Sequence, residues 1–309
     1  MAATHRSPAS GSDRLSSHLG LRNVWPLLKE TVERWSQDNA SRLAASLACY
    51  TLLSIAPLVV LAVAVAGFAF GDAAARGEIA GEIGAVVGAD AAHAIQAIVV
   101  NAKTPTSGVF GSIVGIAVLV FGASGVFGEL QSALNVIWGV APKPGRGLRG
   151  IVRDRFFSFA MVWTVAFLLL VSLIVSAALA AVGKFFADKL PGGTAVWQAV
   201  NFTVAVGITT LLFAVIFKVV PDAEIEWRDV WLGAFVTALL FDLGKLLLAL
   251  YIGRSSVTST FGAAGSLVAL VIWVYYTSQI VFLGGEFTHA YALRVRGRIP
   301  PDKNAVAVR

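Results

Sequence analysis

Two opposite charges inside a long apolar run are the residues of this sequence best placed to do chemistry. Asp242 and Lys245 are three residues apart within residues 229–251. A helix would put both on one face, where they can pair. A charge at the centre of a membrane helix costs about 2.5–3.5 kcal/mol on insertion scales. The pair is therefore either a structural ion pair inside a helix bundle or a site that binds a substrate or a proton.

Other polar residues in apolar surroundings extend this candidate site. Most of these residues lie near the ends of the apolar runs 109–138 and 263–290. The exception is Gln279, which is expected at the same membrane depth as Asp242. Together they predict a polar cavity that opens to the cytoplasm and holds a lipid head group, an ion or water. Interfacial capping and snorkelling are the structural alternative for the outermost of them. The set is Gln279, Glu286, His289, Glu129, Gln131 and Asn135.

The composition decides which elements can hold such residues. The chain has 309 residues, of which 57% are hydrophobic and 14% charged, and its mean hydropathy is +0.77. A soluble domain is about 45–50% apolar and about 25% charged. The composition therefore excludes an ordinary soluble enzyme, a disordered chain and a disulfide scaffold. It predicts an all-α polytopic membrane protein.

Six runs are long enough to cross a hydrocarbon core, which takes about 20 helical residues. Lys and Arg are distributed unevenly among the segments that join these runs. The terminal segments and the second and fourth loops hold 18 of them, and the other three loops hold five. The positive-inside rule then places both termini in the cytoplasm. The predicted spans are 44–70, 109–138, 156–183, 196–220, 229–251 and 263–290.

The N-terminal segment divides into a polar tail and an amphipathic helix. Residues 1–20 are Ser-rich and are expected to be disordered. Hydrophobic residues then recur with helical spacing, while charged residues lie on the other side. This pattern predicts a helix in the cytoplasmic membrane interface, a helix packed on the inner ends of the bundle, or both. The apolar stripe is Leu21, Trp25, Leu28, Val32 and Trp35.

Three further features concern the positioning of the spans. Pro57 lies inside the first span, where it is either a harmless kink or a functional hinge. The second span is rich in small residues, including Gly111, Gly115, Gly125 and Gly128, which favour close helix packing over a ligand site. Residues 71–108 carry two short apolar helical faces and predict a helical external loop.

The familiar motifs of soluble enzymes give no site here. Residues 145–150 match GxGxxG, but they fall in a basic loop without the strand and helix that a dinucleotide needs. The four histidines form no metal-binding spacing. We expect no catalytic residue, no metal, no cofactor and no nucleic-acid partner, since the positive charge is explained by topology.

Four stretches of the sequence resemble the YihY/BrkB family of bacterial integral membrane proteins, also termed UPF0761 proteins. The resemblance covers about residues 25–292. We place the six-helix membrane domain at residues 21–292 and a basic cytoplasmic tail at residues 293–309. Asp242 departs from the family pattern, in which Glu is expected at this position. The carboxylate is retained, but the aspartate side chain is one methylene group shorter. The stretches are ASLACYTLLSIAPL, FGASGVFGELQSALNVIW, WRDVWLGAFVTALLFDLGKLLLALYI and AAGSLVALVIWVYYTSQIVFLGGEF.

The resemblance implies a function in the cell envelope. The family carries the labels virulence factor BrkB and ribonuclease BN, and members have been linked to envelope lipid export. The nuclease label is disfavoured, because the sequence lacks the His and Asp zinc motifs of that enzyme. We therefore expect a transporter that moves a lipid or other amphipathic molecule, with membrane lipids as partners and a homo-oligomer left open. A non-transporting membrane scaffold or assembly factor is the alternative.

Overall fold

The computed structural model describes residues 21–54, 109–144, 193–254 and 263–308. Several sequence-based predictions lie outside these ranges. They are the tail 1–20, the hinge Pro57, the external loop 71–108, the glycine motif 145–150 and the span 156–183.

The described residues are mostly helical, as the sequence predicts. Helix α1, of 17 residues, and the described part of α2 precede four long helices, and two three-residue strands complete the described elements. The elements are α1 (Leu21–Gln37), α2 (40–54), α3 (Val109–Ile137), β1 (Val140–Pro142), α4 (Gly193–Val219), α5 (Trp227–Arg254), α6 (Ala263–Arg296) and β2 (Ala305–Ala307).

Within the described ranges, three helical stretches are long and apolar enough to cross a membrane. They are Trp197–Val219, Trp227–Leu247 and Leu270–Arg296, and they coincide with the predicted spans 196–220, 229–251 and 263–290. Helix α3 coincides with the predicted span 109–138, and α2 with the start of the predicted span 44–70. Helices that are apolar on all sides suit a lipid environment, where the backbone must satisfy its own hydrogen bonds.

Helices α5 and α6 run antiparallel and are joined by two reciprocal glycine–threonine contacts. A Cβ atom at Gly233 would overlap the side chain of Thr288, and one at Gly284 would overlap the side chain of Thr237. Each threonine hydroxyl donates a 2.6 Å hydrogen bond to the glycine carbonyl four residues earlier in its own helix. Small residues therefore bring these two backbones close together, although the sequence analysis singled out such residues only on α3.

The core connects the remaining helices. Phe213 of α4 lies edge-on to Phe241 of α5, with ring centroids 5.6 Å apart. On α3, a Cβ atom at Gly125 would lie 3.3 Å from Ser54 Oγ of α2. This contact agrees with the prediction that the small residues of α3 serve close packing.

The C-terminal residues fold back over the ends of the helices. Strands β1 and β2 pair antiparallel, with Val140 opposite Ala307 and Pro142 opposite Ala305. Ala223, which links α4 to α5, forms a further bridge with Pro301. The segment 297–308 thus covers the end of the bundle where α3, α4 and α6 finish and α5 begins. This end is named the terminal end below, and the opposite one the far end.

Helix α1 also lies at the terminal end, docked on α6. Leu27 is buried in a cluster with Phe287 and Ala290. Thr31, one helical turn after Leu27, is also buried. The predicted packing on the bundle is therefore present. The sequence analysis did not single out Leu27 and Thr31, whereas Trp25, Leu28 and Val32 of the predicted stripe are exposed.

Candidate polar site within the helix bundle

Asp242 and Lys245 form the ion pair that their spacing allows. Lys245 Nζ lies 2.6 Å from Asp242 Oδ1, and the same ammonium lies 5.2 Å from the centre of the Phe241 ring. The Asp242 side chain is 15% exposed and that of Lys245 is 46% exposed. The aspartate therefore faces the protein, while the lysine head reaches its periphery.

Gln279 of α6 lies at the level of this pair. The level follows from Gly244, where a Cβ atom would come within 2.7 Å of Tyr276 and 2.8 Å of Ile280. Gln279 stands between these two contacts in the sequence. Its side-chain oxygen is buried and accepts no hydrogen bond from the described residues. A buried amide oxygen of this kind has free acceptor capacity toward a proton-bearing group.

Glu286 is the most deeply buried carboxylate of the described residues, with 0% exposure. It follows Gln279 by seven residues, so both lie on one face of α6, about 10 Å apart along the axis. The neighbouring Gly285 packs on Leu134 and Ile137 of α3. A fully buried glutamate within a candidate span is costly and needs polar surroundings.

His289 completes the α6 part of the site. It is buried, and its ring lies 5.0 Å from that of Trp138 at the end of α3. Because His289 follows Glu286 by one helical turn, both side chains lie toward the terminal end. Imidazole and carboxylate are both groups that can donate and accept protons.

Asn135 belongs to a second group of polar residues, which includes a carboxylate that the sequence analysis missed. Asn135 Nδ2 donates to Asp222 Oδ2 at 2.9 Å, and the Asp222 backbone N–H donates to Asn135 Oδ1 at 2.8 Å. Gln131 Nε2 donates to Asp222 Oδ1 at 3.2 Å. The Asp222 N–H and carboxylate thus fix the α4–α5 link to α3. The only signal in the sequence is an acid directly after Pro221 in a short link.

Arg296 joins the last turn of α6 to the first turn of α5. Its guanidinium lies 3.0 Å from Asp229 Oδ2 and 3.2 Å from Glu226 Oε1. Asp229 also accepts a hydrogen bond from the Glu226 backbone N–H at 3.1 Å, which caps α5. These residues position the helices and lie outside the predicted set.

Glu30 makes the corresponding connection between α1 and α6. Its Oε1 accepts two hydrogen bonds from Arg34, and its Oε2 accepts two from Arg294, at 2.9–3.1 Å. Partial burial of Glu30 raises its pKa, but the hydrogen bonds and charges of Arg294 and Arg34 outweigh burial. The net pKa therefore lies below the ordinary value of 4.5.

The structure thus divides the predicted site into two levels. Asp242, Lys245 and Gln279 share the level deeper in the spans, and Glu286 lies toward the terminal end, where Asn135 bonds to Asp222. Glu129 is half-buried and lies on another side of α3 from Asn135. Among the described residues, no group of three or more His, Cys, Asp and Glu side chains is arranged to hold a metal ion.

The comparisons with known proteins match most of the chain. A family model described as virulence factor BrkB matches residues 31–308. A UPF0761 membrane protein of Vibrio vulnificus is 26% identical over 308 residues, covering 94% of this chain and 90% of that protein. No solved structure matches.

Two other relatives are matched over a smaller share of their length. A UPF0761 membrane protein of Verminephrobacter eiseniae is 29% identical over 275 residues, covering 86% of this chain and 62% of that protein. The UPF0761 membrane protein YihY of Shigella sonnei is 32% identical over 197 residues, covering 63% of this chain and 62% of that protein. Since the family model matches residues 31–308, which is most of the chain, this chain belongs to the YihY/BrkB family of membrane proteins.

Proposed function

We propose that this protein is a transporter of the bacterial inner membrane that moves a lipid or another amphipathic molecule. The observation that carries the proposal is Glu286, which is fully buried within a candidate span and shares a helix face with Gln279. Inserting an ionisable residue into a membrane is energetically costly, so such residues are rare. Those that occur are therefore functional candidates. The excess of Lys and Arg in alternate segments supports a cytoplasmic terminal end.

The two levels of polar residues suggest how such a molecule would pass. Lys245 at the periphery would attract a phosphate or other anionic head group, while the apolar chain stays in the lipid. Asp242, Gln279 and Glu286 would then offer polar contacts along α5 and α6, and the acids would carry a proton or an amine. Asn135 and Glu129 remain predicted members of the path near the terminal end. Pro57 remains the predicted hinge.

A membrane scaffold is the alternative that uses the same residues for packing alone. In that case the Asp242–Lys245 pair would only stabilise the bundle. Removing both charges together avoids a lone buried charge, which would destabilise either kind of protein. The double variant Asp242→Asn, Lys245→Met therefore separates the two functions better than either single change.

The experiment measures lipid translocation in proteoliposomes that contain equal amounts of purified protein. Fluorescent phospholipid and polyprenyl-phosphate probes are tested with and without a proton gradient. The variants are the Asp242→Asn, Lys245→Met double variant and Glu286→Gln. The matched control is Lys29→Met, Glu33→Gln, which removes an exposed ion pair of 3.6 Å on α1.

We expect the wild type and the control to translocate a probe, and both path variants to lose at least tenfold in rate while remaining folded. Equal rates in all four proteins would overturn the path. A wild type that moves no probe would overturn the lipid proposal for those probes. Survival of biological activity in the double variant would then favour the scaffold.

A further inference from the structure

We infer that α1 lies in the boundary between head groups and acyl chains at the terminal end, with Val24, Trp25, Leu28 and Val32 in contact with lipid. This inference concerns how the protein engages its own membrane and does not depend on transport. It rests on three different arcs around α1, each of which meets a different environment.

The first arc faces the protein. Leu27 packs with Phe287 and Ala290 of α6, and Leu232 and Val236 of α5 lie against the same cluster. Thr31 is buried one turn further along and donates its hydroxyl to the Leu27 carbonyl at 2.8 Å. Glu30 extends this contact to Arg294. One side of α1 is therefore occupied by the bundle itself.

The second arc is apolar and exposed. Trp25 is 75% exposed and Val32 is 58% exposed, and Val24 and Leu28 beside them are also exposed. At 3.6 residues per turn, the centre of this arc lies roughly 100° around the helix from the protein-facing arc. A soluble surface rarely leaves four large apolar side chains together on one helix, so this arc requires a partner.

The third arc is polar and meets water. Lys29 and Glu33 pair across one turn, and both side chains are more than half exposed. An open groove of about 350 Å³ lies along Glu30, Glu33, Arg34 and Gln37. The Lys29–Glu33 pair is centred roughly 105° around the helix from the centre of the apolar arc. A helix beside a bundle at a membrane surface has this order of environments: protein, lipid and water.

The depth of α1 identifies lipid as the occupant of the apolar arc. Leu27 is buried in one cluster with Phe287, and Leu232 and Val236 pack against that cluster. Phe287, Leu232 and Val236 all lie within the candidate spans Trp227–Leu247 and Leu270–Arg296. Helix α1 is therefore level with the membrane and not outside it. The same level of α5 carries exposed Trp227 and Trp231, with ring centroids 6.3 Å apart. Tryptophan is typical of the membrane–water boundary.

An exposed row on α5 continues from these tryptophans along the span. It has the spacing of one helix face and marks the side of α5 that meets lipid. Because α1 docks on α6 beside this face of α5, its apolar arc extends this lipid-facing surface at the terminal end. The row is Trp227, Trp231, Phe235, Leu239 and Leu243.

The test uses spin labels on the full-length protein in lipid nanodiscs. Single cysteines replace Leu28, Lys29, Val32 or Glu33 in a background where the exposed Cys49 is changed by Cys49→Ala. Leu28 with Lys29, and Val32 with Glu33, are adjacent pairs that place one label on the apolar arc and one on the polar arc. Collision rates are measured with oxygen, which concentrates in lipid, and with a water-soluble nickel chelate.

The measured quantity is the ratio of the collision rate with oxygen to that with the nickel chelate. We expect this ratio to be at least threefold higher for labels at positions 28 and 32 than for labels at positions 29 and 33. Equal, nickel-rich collisions at all four positions would place α1 in water and overturn the inference. Protection of positions 28 and 32 from both reagents would show that protein covers the arc, which would also overturn it. Distances between labels at position 28 in two copies would then identify a second chain.

Discussion

Asn135 is the residue through which α3 holds the α4–α5 link. It is buried, and it both donates to and accepts from Asp222, at 2.9 and 2.8 Å. Gln131 makes only one contact with the same residue, at 3.2 Å. Each hydrogen bond contributes about 0.5–1.5 kcal/mol, with more for one to a charged group, and an orphaned buried acceptor costs about 1–3 kcal/mol.

Asn135→Ala is therefore expected to lower the free energy of unfolding by about 2–3 kcal/mol, and Gln131→Ala by about 1 kcal/mol or less. Unfolding of the purified proteins by mixed detergent micelles measures both values. A larger loss in Gln131→Ala than in Asn135→Ala would contradict the assignment of Asn135 as the main contact.

The lowered pKa of Glu30 predicts that the docking of α1 depends on pH. Its pKa is lower in the folded protein than the ordinary 4.5, so the ionised carboxylate stabilises docking above about pH 4.5. This stabilisation is lost as the pH falls through the lowered pKa. Glu30→Gln is expected to loosen docking at neutral pH and to remove the pH dependence.

Spin-label distances between Glu33→Cys and Arg298→Cys report that docking. We expect a narrow distribution at pH 7 that broadens in acid, and in Glu30→Gln a distribution that is broad at both pH values. A narrow distance distribution in Glu30→Gln at pH 7 would refute the role of Glu30. Lys29→Met is the control for loss of an exposed charge, and it should leave the distance distribution unchanged.

Local contacts among these residues could be predicted from the sequence, and distant ones could not. Asp242 and Lys245 are within one helical turn, so their spacing alone indicates the pair. Asp222 meets Asn135 across 87 residues, and Arg294 meets Glu30 across 264. Such partners depend on how the helices pack, which hydrophobic periodicity does not specify.

At the scale of elements, the α5–α6 pair depends on two glycines in equivalent positions. Gly233 faces Thr288, and Gly284 faces Thr237. The sequence indicates a small residue four positions before each of these threonines, but not that the two motifs meet. Their reciprocal arrangement requires an antiparallel crossing at a particular register, which only the packed helices define.

Gly233→Ala and Gly284→Ala are each expected to lower the free energy of unfolding by about 1–3 kcal/mol, because the added methyl group overpacks a close contact. Gly207→Ala on α4 is the matched control, since a Cβ atom there meets nothing within 4 Å. It should be neutral or slightly stabilising, as alanine favours the helix. Equal losses in all three variants would indicate that glycine itself, and not the close contact, is responsible.

The sequence predicted the amphipathic character of α1 but not which part of it meets the protein. The stripe from Trp25 to Val32 has the periodicity of a buried face, yet Leu27 and Thr31 form the contact with the bundle. A helix that contacts both protein and lipid needs a wider apolar arc than a helix that contacts protein alone. The periodicity gives the arc, while the shape of the neighbouring helices decides how it is divided.

At the scale of the whole molecule, helix directions constrain the topology. Helices α3 and α6 both finish at the terminal end, where Trp138 meets His289. Helix α4 finishes there and α5 begins there, so α4 starts at the far end. The chain leaves α3 at the terminal end and enters α4 at the far end. The span predicted at 156–183 lies between these helices, outside the described residues, and stays a prediction. Helix α1 and the segment 297–308 lie at the same end, which favours an even number of crossings.

Cysteine labelling in spheroplasts tests this topology in the Cys49→Ala background. Lys29→Cys, Lys143→Cys and Lys303→Cys are at the terminal end, and Ser256→Cys is in the predicted external loop that follows α5. If the terminal end is cytoplasmic, a membrane-impermeant maleimide will label only Ser256→Cys until the membrane is permeabilised, after which all four react. Labelling of Lys29→Cys and Lys303→Cys from opposite sides would contradict an even number of crossings. External labelling of all three terminal-end positions would reverse the orientation, and the basic residues at this end would then need an explanation other than the positive-inside rule.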